Sequence, residues 1–152
     1  MSLDDDIRVL AGVSLFEGFT QEQLRLLAFG SENTRLAEGK ELYQEGAAAD
    51  GAYVVARGRI SLFRERDGER TVITTVGPGA LLGEFALFSD TERLTGALAA
   101  TEAEVMRLNR KLFRRILEEY PDVAVALHQR VAADLQALVG RIERLAPKFS
   151  DG

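Results

Sequence analysis

Hydrophobic and polar positions along this chain fall into three textures, and each predicts a different kind of element. The first is helical. Leu24, Leu27 and Ala28 share one face behind the polar turn Gln21-Glu22-Gln23. Thr20 stands just before that turn and Gln23 three positions after it, the spacing of a reciprocal cap. A helix is therefore predicted over about 20–30. Upstream, Asp4-Asp5-Asp6 precede a modestly apolar run to Leu10. Carboxylates there suit a helix N-terminus. Met1-Ser2-Leu3 receives no role.

From Thr34 to Leu108 the texture becomes short apolar runs broken by Gly39, Gly46, Gly51, Gly58, Gly68, Gly77 and Gly79. Many short strands with frequent turns predict a sandwich or barrel. The clearest hairpin has arms Ile60–Arg64 and Thr71–Thr75 around Asp67-Gly68, a pair suited to the positive φ of a tight turn. The run Arg64-Glu65-Arg66-Asp67 alternates in sign and reads as a solvated hairpin edge.

After Asn109 the period is helical again. Leu112, Phe113, Ile116 and Leu117 share a face within Lys111–Glu119. Pro121-Asp122 interrupts it, and a second helix is expected from Asp122 to about Leu145, before Pro147, with Phe149–Gly152 as a frayed tail. Leu127, Val131, Leu135, Leu138, Ile142 and Leu145 step by three or four, like a short a/d seam flanked by alanines. Such a seam suits either packing on its own domain or pairing with a second copy. The whole reads as one domain over 1–152, mainly β over 34–108, with flanking helices and the last one long, about 111–146 in all.

Composition narrows the function classes. At 152 residues, with 46% hydrophobic and 28% charged residues, the chain can build one ordinary globular core. No apolar run approaches the roughly 20 residues that cross a bilayer, and no secretory signal opens the chain. The absence of cysteine removes disulfides and thiolate metal sites, in keeping with a cytoplasmic protein. His128 is the single histidine, so neither a zinc site nor a metal-dependent enzyme with clustered histidines is expected. No nucleophile–base motif appears, and no catalytic residue is assigned. A net charge of −5 argues against a general nucleic-acid binder but not against a small anionic ligand held by one arginine and oriented amides.

The candidate chemistry lies in Gly83-Glu84-Phe85-Ala86-Leu87-Phe88-Ser89-Asp90-Thr91-Glu92-Arg93-Leu94-Thr95. Free amides at the start of a turn attract negative charge. Arginine adds a fork of donors for phosphate oxygens, and a carboxylate beside a glycine can accept from a sugar hydroxyl. This segment resembles the phosphate-binding cassette of cyclic nucleotide-binding domains. Leu15-Phe16-Glu17-Gly18-Phe19 with the helix after it, Glu38-Gly39-Lys40, Gln44-Glu45-Gly46, Val54–Ile60 and Gly77-Pro78-Gly79 resemble further motifs of that family in the same order. The likeness covers roughly residues 10–146.

The resemblance implies a double-stranded β-helix, or jelly roll, with an N-terminal helix and two C-terminal helices. It implies cAMP or cGMP as ligand and no other cofactor. Arg93 would meet the cyclic phosphate and Glu84 the ribose hydroxyl; Gly83 would admit the backbone, and Phe85 and Ala86 would offer amides. Leu94 stands where the family has a small or hydroxylated residue, and Thr95 follows one place late. Leu62, Ile73, Leu82 and Leu138 would line the base end. A homodimer through the helix at about 122–146 is implied, with that helix coupled to the ligand and an unidentified effector protein beyond it. No helix-turn-helix follows the long helix, so specific DNA binding is not expected; the chain reads as a sensor or as the effector-binding part of a regulator. The alternative is a jelly-roll dimerisation or interaction module that no longer binds nucleotide, a reading that Leu94 and the apolar base end motivate.

Overall fold

The computed structural model describes residues 2–150, and side chains throughout that range except at 135 and 138–150. It separates into two compact units, 1–116 and 117–152.

The larger unit opens with α1 (Leu3–Ala11). Ser2, given no role in the sequence, is its N-cap, and Ser2 and Asp5 cap each other's backbone reciprocally. A 3₁₀ turn (Ser14–Phe16) leads to α2 (Gln21–Gly30), capped by Thr20 and Gln23 as their spacing predicts.

Ten strands follow: β1 (Glu32–Leu36), β2 (Glu41–Tyr43), β3 (Ala48–Ala49), β4 (Gly51–Arg57), β5 (Ile60–Arg66), β6 (Glu69–Val76), β7 (Leu81–Leu82), β8 (Thr91–Glu92), β9 (Gly96–Ala99) and β10 (Ala103–Asn109). They form two antiparallel four-stranded sheets, in orders β1-β10-β4-β7 and β2-β9-β5-β6, with a small β3-β8 ladder. Both sheets feed one core of Leu36, Val55, Ile60, Leu82, Ala97, Ala99, Ala103 and Val105. Apart from the β5–β6 hairpin, consecutive strands do not pair with each other, the layout of a jelly roll with flanking helices.

The hairpin closes where its turn signal stands. Asp67 and Gly68 both take positive φ, 56° and 80°, as a two-residue type I′ turn requires. The arms are longer than their apolar cores suggest, because charged pairs carry them on: Arg66 faces Glu69, and Arg70 bonds Glu65 at 2.7 Å. Between Leu62↔Thr74 and Phe63↔Val72 the register shifts, leaving Ile73 as the extra residue of a bulge and more than half exposed.

α3 (Arg110–Glu119) follows β10 directly. Phe113 is fully buried against Phe16, at 6.1 Å between ring centroids, and edge-on to Phe88, at 5.6 Å. The last helix, α4 (Pro121–Ser150), starts at the proline itself, whose missing N–H costs nothing in a first turn. It continues past Pro147 instead of ending before it. A proline removes one backbone hydrogen bond, to the carbonyl four residues back, and a helix can survive that loss. Of the predicted seam, Leu127 is buried and Val131 half-buried; Leu135, Leu138, Ile142 and Leu145 lie outside the described side chains. Among the described residues, no helix is long and apolar enough to cross a membrane.

Candidate functional site

The cassette predicted from sequence is a 3₁₀ turn (Glu84–Leu87) between β7 and β8. Gly83 precedes it in the left-handed region, φ 76° and ψ 39°, a conformation that glycine adopts without cost. The amide of Ala86 already donates to the Gly83 carbonyl at 3.0 Å. The amide of Phe85 stands ahead of that first turn hydrogen bond. Leu87 is buried and Phe88 rests on Phe113, so the turn is anchored from its apolar end. Glu84 is half-buried.

A second anchor comes from the first residue of α3. Arg110 donates from Nε to the Ala86 carbonyl at 2.7 Å and from Nη2 to the Ala49 carbonyl at 2.6 Å, and pairs through Nη1 with Asp90. One side chain thus ties the cassette, β3 and α3 together. Nothing in the local sequence marks this role, because its partners are two main-chain oxygens and a distant aspartate.

Arg93 is the centre of the site. Its backbone is fixed by two hydrogen bonds of 2.8 Å each: its N–H donates to the Ala47 carbonyl, and its carbonyl accepts from Gly46. The side chain turns inward and is only 8% exposed. Nη2 donates to the Gly51 carbonyl at 2.8 Å. The guanidinium carbon lies 4.5 Å from the ring centre of Tyr43 and 5.4 Å from that of Tyr53. Nη1 is buried and has no hydrogen-bond partner. It faces Gly83 so closely that a Cβ there would collide with it. Glu92, the acid next to it in sequence, is exposed, and Asp50 is taken by Arg107 at 2.6 Å. Among the described residues, no carboxylate forms an ion pair with Arg93. A buried cation left with one idle donor costs free energy unless something negative completes it.

Titration behaviour follows these contacts. Burial raises the Tyr43 hydroxyl above the ordinary tyrosine range, against the opposing pull of the Arg93 cation and a hydrogen bond with the Thr95 side chain. The Arg107 hydrogen bond and charge hold Asp50 below the usual carboxylate range. Among the described residues, no group of three or more His, Asp or Glu side chains could hold a metal ion.

The residues predicted from sequence divide by position. Gly83 meets Arg93 Nη1, and Glu84, Phe85 and Ala86 follow Gly83 in the same turn. Leu94 points away from the core and is 62% exposed, whereas Thr95 is half-buried with its hydroxyl on Tyr43. Of the expected base-end residues, Leu82 is buried in the core, Leu62 packs half-buried against it, and Ile73 is exposed on its bulge. Leu138 lies outside the described side chains. Tyr43, Tyr53, the Gly51 carbonyl and Arg110 are site components that sequence reading does not single out.

Comparison with known proteins agrees with the fold. The sequence model of the cyclic nucleotide-binding domain matches residues 33–120, the stretch from β1 to the end of α3. A cyclic nucleotide-binding-like protein of Brucella abortus shares 59% identity, with a TM-score of 0.70 over 76% of this chain and 99% of that one. The N-terminal domain of a transcriptional regulator from Streptomyces coelicolor shares 32%, with a TM-score of 0.77 over 88% of this chain and 94% of that one. The cyclic AMP receptor protein of Thermus thermophilus is 29% identical over 128 residues, 84% of this chain, and the chain spans 59% of that regulator's length. The chain belongs to the cyclic nucleotide-binding domain family.

Proposed function

We propose that this member of the cyclic nucleotide-binding domain family is a sensor for a 3′,5′-cyclic nucleotide, cAMP or cGMP. Arg93 Nη1 would meet the cyclic phosphate, with the Phe85 amide beside it, and Glu84 would accept from the ribose 2′-hydroxyl. Ala86 would contribute through the turn its amide closes. The observation that carries this reading is the buried guanidinium of Arg93, with no acid among the described residues paired to it and one donor idle beside Gly83. An anion completes both its charge and its hydrogen bonds. The nucleotide is bound rather than transformed, and no catalytic step is proposed.

Ligand binding would be read out by repositioning of the C-terminal helix. A ligand shifts such an equilibrium only by its preference for one arrangement. Pairing of two chains through about 122–146 would make the sensor a homodimer, working in the cytoplasm beside an effector protein. The naming of relatives as a cyclic AMP receptor and a transcriptional regulator supports a role as the effector-binding part of such a regulator.

One observation favours a second reading, an interaction module without nucleotide. Leu94 is exposed and offers no hydroxyl, so the position after the arginine lacks the hydroxyl donor that the family resemblance implies.

Calorimetric titration of ligand-stripped protein with cAMP and cGMP separates the two. Saturable binding near one site per chain is expected, and Arg93→Ala should weaken it by about tenfold or more, the weight of a charge-assisted contact. Absence of binding to both nucleotides, or an Arg93→Ala protein with unchanged affinity, would remove the sensor reading.

A further inference from the structure

Arg93 raises a question that its role as an anion-binding group leaves open: what holds a buried cation in place when no carboxylate does? Three neighbours are on hand. The Gly51 carbonyl takes Nη2. Tyr43, on β2, and Tyr53, on β4, both lie beside the guanidinium, at 4.5 Å and 5.4 Å. The two rings stack on each other, with centroids 6.0 Å apart and planes 27° apart. β2 and β4 belong to different sheets, so the aromatic pair bridges the roll where the arginine enters it.

We propose that Tyr43 and Tyr53 form an aromatic seat that positions the Arg93 guanidinium and keeps its Nη1 available to an anion beside Gly83. This rests on the reading of Arg93 as the anion-binding group. The physical distinction lies between two ways of stabilising a buried cation. A carboxylate neutralises it and occupies its donors, so an incoming phosphate must displace the acid. Aromatic faces attract the cation through their quadrupoles, take none of its N–H groups and leave its full charge in place. The surroundings follow the second pattern. Asp50, close enough to sense Arg93, is bound instead to Arg107. The tyrosines touch no ligand in this scheme; they act through Arg93 as positioning residues.

Both rings also pack against the core, so loss of stability alone would prove nothing. The test uses the full chain with Tyr43→Phe, Tyr43→Leu and Tyr53→Leu, each checked for cooperative thermal unfolding. The first readout is the ratio of affinities for cAMP and for adenosine, which lacks the phosphate. Tyr43→Leu should lower that ratio by about fivefold, the weight of one modest cation–π contact, and Tyr43→Phe should preserve it within about twofold. Equal losses for both ligands, or a Tyr43→Phe protein as impaired as Tyr43→Leu, would overturn the proposal. The second readout needs no nucleotide: the Arg93 Nε–Hε resonance should be ring-shifted in the native protein and in Tyr43→Phe and move toward the free-arginine position in Tyr43→Leu. If the native protein binds neither cAMP nor adenosine, the sensor reading falls while this shift still decides the seat. An unmoved resonance in Tyr43→Leu would then reject it. Should Tyr43→Leu fail to fold, Tyr53→Leu carries the same comparisons.

Discussion

At the scale of single residues, Gly83 and Arg93 form one device. Gly83 sits at positive φ, and a Cβ on it would strike Arg93 Nη1. Gly83→Ala therefore meets two penalties that can be measured apart. The left-handed backbone should cost about 1–2 kcal/mol, or roughly 2–4 °C of unfolding temperature per kcal/mol in a chain of this size. The collision falls on the flexible end of a side chain, so the fold survives, but the guanidinium is pushed off its place. Nucleotide affinity should drop at least as far as in Arg93→Ala. Gly83→Asn is the control, since asparagine tolerates this backbone better than alanine does. It should regain part of the stability and none of the affinity. Recovery of both would mean that the collision is harmless. The glycine, the arginine and the glutamate are legible in sequence because they form a compact pattern. Tyr43 is not, because its role depends on a strand distant in the chain meeting Arg93 side-on. An aromatic in a short strand otherwise signals only core.

At the scale of elements, the locally encoded features are the ones the sequence exposes. The cap of α2 needs only Thr20 and Gln23, and the hairpin turn needs only Asp67-Gly68; each works through its own few residues. The order β1-β10-β4-β7 and the bulge at Ile73 are set by pairings between distant segments, which no local pattern records. Arg110 belongs to this second class. It joins α3 to the cassette through two carbonyls and Asp90. Arg110→Ala would remove the guanidinium bonds to the carbonyls of Ala86 and Ala49 in a partly buried setting, a loss of about 2–3 kcal/mol. Hydrogen exchange locates the effect. Amides of 84–90 should exchange faster, while the hairpin over 60–76 keeps its protection. Lysine should not rescue it, because a single ammonium cannot reproduce the guanidinium fork. Uniform acceleration over both segments would show that Arg110 supports the roll in general and not the cassette in particular.

At the scale of the whole molecule, the fold accepts a cost at one point that a ligand would return. Burying an unpaired guanidinium disfavours the ligand-free state, and apolar replacements of buried charges are often neutral or stabilising. Arg93→Met keeps much of the volume, removes the charge and forfeits the bond to the Gly51 carbonyl. These effects oppose each other, so in ligand-free buffer the variant should unfold within about 2–4 °C of the native protein, equivalent to about 1 kcal/mol. With ligand the order should separate. A nucleotide at a hundred times its Kd would stabilise the native protein by about 2.7 kcal/mol, and the variant by far less at the same concentration. Thermal unfolding of both proteins with and without cAMP, in low salt, tests the pair of expectations together. If Arg93→Met is already much less stable without nucleotide, the arginine serves the fold first. The exposed Leu94 would then belong to a domain that uses its arginine as a strut. If the two proteins part only when ligand is added, the idle Nη1 is the feature that selection has kept. The acidic balance of the chain, −5 overall, leaves that local charge as the attraction an anion meets on arrival.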